Sequence, residues 1–129
     1  RRRRCGWFDT VVVRDAVRLN GLTGLAITKL DVLTGLKTLQ LASHYEVAGE
    51  RYERMPENIR KAAQAKAFYE SLPGWDEDIS GVRELADLPA AARDYLKRLE
   101  DLSEVSPAMV SVGADREATI MLKNPFEPV

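Results

Sequence analysis

From Leu88 to Leu102 the apolar residues fall at steps of four or three: Leu88, Ala92, Tyr95, Leu99 and Leu102, with Ala91 and Leu96 flanking. Only an amphipathic helix uses that period, and its single apolar stripe has to be covered by other parts of the chain. Asp87 is the expected N-cap, and Pro89 falls in the first turn, where its missing N–H does no harm. The helix Pro89–Leu102 therefore packs one face on a sheet.

The strands for that sheet lie on both sides of the helix. Lys37 to Val47 alternates, with Leu39, Leu41, Tyr45 and Val47 on one face and Thr38, Gln40, His44 and Glu46 on the other, the pattern of a half-buried strand. Ala48-Gly49 turns it into a hairpin partner at Arg51–Arg54. Leu22–Thr28, Lys66–Leu72, Met109–Gly113 and Ala118–Lys123 read as further strands. Asp9 caps a helix over Thr10–Leu19, with Val12, Val13, Ala16 and Val17 on one face and Arg14, Asp15 and Arg18 on the other, and Asn20-Gly21 ends it. Ile59–Gln64 is a second helical segment, and Asp31–Leu36 a helical turn closing at Gly35. The fold class is α/β, a mixed and partly parallel sheet with flanking helices and an antiparallel hairpin.

At 129 residues with 45% hydrophobic content, the chain is one domain's worth and can bury a core. Its 19 basic residues nearly cancel its 20 acidic ones, but four of the basic residues are Arg1–Arg4, so the body is mildly acidic and a nucleic-acid-binding face is not expected. One cysteine, Cys5, excludes an internal disulfide and fits a reducing compartment. No apolar run reaches the ~18 residues of a membrane span, and the expectation is a soluble cytoplasmic protein. The chain opens without methionine in a run of arginines, as if cut from something longer. Those arginines are open to several readings: a tag remnant, a nucleic-acid arm, or part of an anion-binding loop, since guanidiniums this close repel one another unless anions sit between them. Residue statistics alone favour a solvated arm.

The chemistry worth reading lies where two apolar strands end. Gly24-Leu25-Ala26-Ile27 stops at Thr28-Lys29-Leu30-Asp31, and Met109-Val110 stops at Ser111-Val112-Gly113. Ligands in open α/β sheets gather at the carboxyl ends of strands. An ionised Asp31 can accept the two parallel donors of guanine, N1–H and the N2 amino group, whereas adenine would leave buried polar atoms unpaired. The Lys29 stem can lie along the base. If the two loops are neighbours, backbone N–H groups around Gly113 can approach O6, because glycine has no side chain. Lys-x-Asp alone turns up by chance roughly one time in three in a chain this long, and a solvated loop is the plain alternative. His44 reads as a surface residue, Trp75 as a packing residue, and Asp76-Glu77-Asp78 as a solvated turn, since consecutive carboxylates rarely converge on one ion. No phosphate-binding glycine loop is present.

Six stretches in order carry a resemblance: Arg1-Arg2-Arg3-Arg4-Cys5-Gly6-Trp7-Phe8-Asp9, Asn20-Gly21-Leu22-Thr23-Gly24, Thr28-Lys29-Leu30-Asp31-Val32-Leu33, Leu72-Pro73-Gly74-Trp75, Ser80-Gly81-Val82 and Ser111-Val112-Gly113-Ala114-Asp115-Arg116. Their order and spacing, up to a terminal Asn124-Pro125-Phe126, resemble the last third of the adenylosuccinate synthetase family. The resemblance covers residues 1–129 as the C-terminal part of that domain. It implies a P-loop-NTPase-like GTP-binding architecture, truncated, and an enzyme that uses GTP to phosphorylate O6 of IMP and then displaces that phosphate with the amine of L-aspartate. It further implies Mg²⁺, a homodimer and a cytoplasmic setting.

Carried over by position, the resemblance makes Lys29, Leu30 and Asp31 the guanine-binding motif, with Ser111, Val112 and Gly113 closing on the same base. Arg1 matches the arginine that meets IMP and the aspartate carboxylate, Arg3 one that reaches GTP, and Arg2 lies between them in the same substrate loop. The solvated-arm reading of the arginines then gives way. The family's phosphate loop, Mg²⁺ ligands, general-base aspartate and general-acid histidine lie upstream, so no catalytic or metal-binding residue is expected in this chain, which alone is expected to be inactive. Ala114 stands where many members have proline. The competing expectation is a free-standing interaction domain that binds an acidic partner through Arg1–Arg4.

Overall fold

The computed structural model describes residues 2–124, 126 and 127. Along the chain run β1 (Phe8–Asp9), α1 (Thr10–Asn20), β2 (Leu25–Ile27), a 3₁₀ turn (Leu30–Leu33), β3 (Thr38–Val47), β4 (Glu50–Tyr52), α2 (Ile59–Gln64), β5 (Lys66–Pro73), a second 3₁₀ turn (Leu85–Asp87), α3 (Ala90–Ser103), β6 (Pro107–Ser111) and β7 (Thr119–Met121). The order bears out the α/β reading. The strands divide between two sheets, however, where the alternation suggested one.

The larger sheet is built on β3. It pairs in parallel with β1 and antiparallel with β4 and β5. Leu41 has partners in both β1 and β5, and Tyr45 has partners in both β4 and β5, so β5 takes one edge of β3 while β1 and β4 share the other. The smaller sheet has the order β2-β6-β7, parallel between β2 and β6 and antiparallel between β6 and β7.

Helix α3 joins the two sheets. Its stripe of Ala92, Tyr95, Leu96 and Leu99 is buried in one cluster with Leu39 and Leu41 of β3, Ile27 of β2, Val110 of β6 and Ile120 of β7. Leu99 is fully buried, and a side chain of that size contributes about 2 kcal/mol on leaving water. Trp75 belongs to the same cluster, as expected, and its Nε1–H donates to Thr34 Oγ1 at 3.0 Å. The start of α3 differs from expectation. Asp87 sits in the 3₁₀ turn, and Pro89 holds the N-cap position with no side-chain hydrogen bond. A 3₁₀ turn closed by Asp87 N–H to Glu84 C=O already occupies the backbone where the cap was placed.

Helix α1 follows its capping signals, although Val12, expected on the apolar face, is 51% exposed and Val11 is the buried valine. Asp9 Oδ1 accepts from the N–H groups of Val11 and Val12 at 3.0 and 3.2 Å, and Gly21 ends the helix at φ 62°, a conformation open to glycine. Arg14 departs from them. Expected on the outer face with Asp15 and Arg18, it turns inward and donates to three carbonyls, Leu102 at 3.0 Å, Ser43 at 2.9 Å and Glu53 at 2.9 Å.

The Ser43 carbonyl needs such a donor because Ser43 is an extra residue. Ala42 pairs with Tyr69 and His44 with Phe68, so two steps on β3 match one on β5. This β-bulge flips the side-chain alternation. Leu39, Leu41, His44 and Glu46 face the same way as Leu72, Glu70, Phe68 and Lys66, and Tyr45 moves to the other face with Gln40 and Ala42. His44 is consequently not a surface residue. It is 6% exposed, stacked on Phe68 with ring centroids 4.6 Å apart, with Nδ1 2.9 Å from Ser43 Oγ. Tyr45 donates its hydroxyl to Asp9 Oδ2 and so ties β3 to the cap of α1.

Candidate functional site

The two strands with polar endings do lie side by side. Leu25, Ala26 and Ile27 of β2 pair in parallel with Pro107, Met109 and Val110 of β6, which puts Thr28–Asp31 and Ser111–Gly113 at the same end of the smaller sheet. Parallel pairing aligns carboxyl ends, and it requires the long crossover that residues 28–106 supply. One hydrogen bond joins the loops: Lys29 N–H donates to Ser111 Oγ at 3.1 Å.

Within the first loop, Lys29 takes a left-handed conformation with φ 62° and ψ 36°, and the 3₁₀ turn starts immediately after it. Leu30 then drops into the core at 1% exposure, leaving Lys29 exposed and Asp31 half-buried at the surface. Val32 N–H returns to Lys29 C=O at 3.3 Å and Thr34 N–H to Asp31 C=O at 3.2 Å, which fixes the backbone on both sides of Asp31. A half-buried carboxylate at a strand end can accept two parallel N–H donors.

In the second loop Val112 is fully buried, and its N–H donates to Ala118 C=O at 2.9 Å. Leu30 and Val112 thus anchor their loops through the core, and the Val112 N–H is itself committed to Ala118. Gly113 has a reason for being glycine beyond approach to a base: a Cβ there would lie 2.9 Å from Ala118 Cβ, closer than such atoms pack.

The arginine segment lies nearby. Arg2, Arg3 and Arg4 are exposed and outside any helix or strand, and among the described residues they form no ion pair. Arg1 lies outside the described residues. Just downstream, Cys5, Gly6 and Trp7 form a hollow of roughly 530 Å³ with Val32, Leu33 and Leu36, so the end of the arginine segment abuts the turn that carries Asp31. Trp7 is 39% exposed and Val32 62%. The signal for this apolar junction is the set Val32, Leu33 and Leu36, three large apolar residues beside Leu30 in a connection between strands.

The acidic run Asp76-Glu77-Asp78 is exposed, as expected of a solvated turn, and Asp78 Oδ1 accepts from Ser80 N–H at 2.9 Å. No group of three or more His, Cys, Asp or Glu residues is placed to hold a metal ion among the described residues. Among those residues, too, no helix is long and apolar enough to cross a membrane.

The sequence profile of adenylosuccinate synthetase matches residues 1–120. The chain is 54% identical over 127 residues to the adenylosuccinate synthetase of Desulfotalea psychrophila and 59% identical over 127 residues to that of Syntrophus aciditrophicus, in each case over 98% of this chain and 29% of the relative. It therefore spans less than a third of the length of these curated relatives. Among solved structures, fully ligated adenylosuccinate synthetase from Plasmodium falciparum superposes with a TM-score of 0.88 at 31% identity, over 95% of this chain and 30% of that one. A profile match over residues 1–120, relatives aligned over 98% of the chain and a shared fold lead to one assignment: the chain belongs to the adenylosuccinate synthetase family.

Proposed function

We propose that this chain is the C-terminal, guanine-recognising part of an adenylosuccinate synthetase. The intact enzyme is a ligase that transfers the γ-phosphoryl group of GTP to O6 of IMP; the amine of L-aspartate then attacks C6 and expels phosphate, giving adenylosuccinate, GDP and phosphate. The observation that carries the reading is the parallel pairing of β2 with β6, which sets the Lys29–Asp31 and Ser111–Gly113 loops beside each other and bonds them.

In this reading Asp31 accepts N1–H and the N2 amino group of guanine, the Lys29 stem covers the base, and the Ser111-Val112-Gly113 loop closes on it with the backbone around Gly113 facing its O6 edge, the Val112 N–H being held by Ala118. Leu30 seats the first loop in the core. Arg1, Arg2 and Arg3 gather the substrates: Arg1 meets IMP and the aspartate carboxylate, and Arg3 meets GTP and, with Arg2, the substrate loop's share of the dicarboxylate. Planar guanidiniums suit these oxyanions because each can be met with two parallel hydrogen bonds. The hollow lined by Trp7 and Val32 lies where the end of the arginine segment meets the base-reading turn.

The phosphate loop, the general base, the general acid and the Mg²⁺ ligands belong to the remainder of the family protein, completing a P-loop-NTPase-like architecture. Mg²⁺ there neutralises phosphate charge; this chain's residues select the base and collect the substrates, and alone do not turn them over. A cytoplasmic homodimer is the corresponding setting. Identity of 54% and 59% through the length of the chain favours this reading over a free-standing domain that binds acidic partners.

The test is base preference in the full-length synthetase. Asp31→Asn replaces an acceptor with a donor that suits the 2-carbonyl of xanthine, so kcat/KM for GTP falls roughly 10- to 100-fold and that for XTP rises. An unchanged preference for GTP would remove Asp31 from base recognition.

A further inference from the structure

Lys29 is held in a conformation it does not favour. A side chain with a Cβ is crowded in the left-handed region, and lysine lacks the short polar group that lets asparagine or aspartate settle there. At φ 62° and ψ 36° the residue nevertheless turns the chain out of β2 and into the 3₁₀ turn, and that change of direction decides where the Asp31 carboxylate points. Inside the loop the Val32 N–H bonds the Lys29 carbonyl at 3.3 Å, and a second restraint, on the Lys29 N–H, comes from outside it.

The restraint is Ser111. Its oxygen accepts the Lys29 N–H at 3.1 Å across a separation of 82 residues. Ser111 is itself fixed as the last residue of β6, in register with Thr119 of β7, and it is followed by the fully buried Val112. The anchor is therefore part of a sheet, while the group it restrains is an exposed loop residue. The hydroxyl acts toward Lys29 only as an acceptor, and its hydrogen stays available to a ligand.

We propose that Ser111 is a positioning residue whose hydroxyl oxygen locks Lys29 in its left-handed turn, so that the second base loop sets the geometry with which the first reads the base. This rests on the assignment of Asp31 to guanine recognition. Discrimination between guanine and a base lacking the 2-amino group then depends on Ser111 without the serine having to touch that group, because a mobile Asp31 no longer meets both donors together.

The experiment compares Ser111→Thr with Ser111→Val in the full-length synthetase. The two side chains have nearly the same shape, and only threonine keeps the acceptor. Hydrogen exchange followed by mass spectrometry on the peptide spanning Leu25–Asp31 reads the lock directly. Valine speeds exchange of the Lys29 amide about tenfold, and threonine leaves it close to wild type. Steady-state kinetics read the consequence. Valine raises KM for GTP about tenfold with kcat within twofold, and it lowers the ratio of kcat/KM for GTP over ITP, while threonine restores both. Equal exchange in the two variants overturns the proposal, and so does faster exchange in the valine variant with an unaltered GTP-to-ITP ratio. Asp31→Asn run alongside separates the levels: if it shifts base preference and the serine variants do not, only the positioning role falls; if it too has no effect, the guanine assignment falls with it.

Discussion

Arg14 shows how much one side chain can hold when its donors are forked. Its guanidinium bridges the last turn of α3 at Leu102, the bulge at Ser43 and the loop after β4 at Glu53. A planar group with five donors spans three separated carbonyls where an ammonium cannot. Arg14→Ala leaves those acceptors without their charged donor and is expected to cost about 3 kcal/mol in urea unfolding, with Arg14→Lys recovering only part of it. The helical period sends Arg14 outward because it weighs only apolar positions. It has no knowledge of a carbonyl left over by a bulge in a strand 29 residues away. The same blindness to distant partners hides the reason for Gly74, where a Cβ would run into the Leu36 carbonyl oxygen.

At the scale of elements, type is legible in the sequence and facing is not always so. α1, α2, α3 and the β3–β4 hairpin all occur where apolar periodicity and turn residues place them. The Ser43 bulge is the exception with consequences. Strict alternation over Lys37–Val47 puts Tyr45 with Leu41 and exposes His44; one inserted residue exchanges their places. Bulges have no residue signature as strong as that of a turn, so the exchange could not be read beforehand. Its benefit is visible in Tyr45, which reaches Asp9 only from the exchanged face. Tyr45→Phe leaves Asp9 Oδ1 capping α1 but removes the donor to Oδ2. Thermal unfolding is expected to show a loss of about 1 kcal/mol, and the double variant with Asp9→Asn should be less destabilised than the sum of the two.

Across the whole molecule, stability has a limit at each end of the pH scale. Burial pushes the Tyr95 phenol up to about 12, and burial together with its bond to Asp9 raises Tyr45 from the ordinary 10.0. Both groups keep their protons in the fold after the unfolded chain has lost them. Their contribution is complete below pH 10 and declines as pH rises above it. At the acid end, the Arg98 guanidinium holds Glu70 below its ordinary 4.5, so that pair contributes above this value and is lost as pH falls through the lower one. Thermal melts from pH 2 to 12 should show both limbs, with Glu70→Gln flattening the acid one and Tyr95→Phe the alkaline one. The candidate site was legible at the same scale only in part. Strand endings and small residues located the two loops, but their direct bond and the Trp7 hollow depend on tertiary contacts that no local pattern encodes.

The bond between Lys29 and Ser111 also has a consequence in time. Closing a connection of 82 residues costs entropy that local contacts do not, and pairings this distant in sequence form slowly. The α1 segment and the β3–β4 hairpin begin from local contacts, but the proposed base site has to wait until β6 has been made and has come back to lie beside β2. During synthesis the elements with local contacts can therefore start to form well before the two loops meet, and any recognition that depends on both loops is among the last properties the folding molecule acquires.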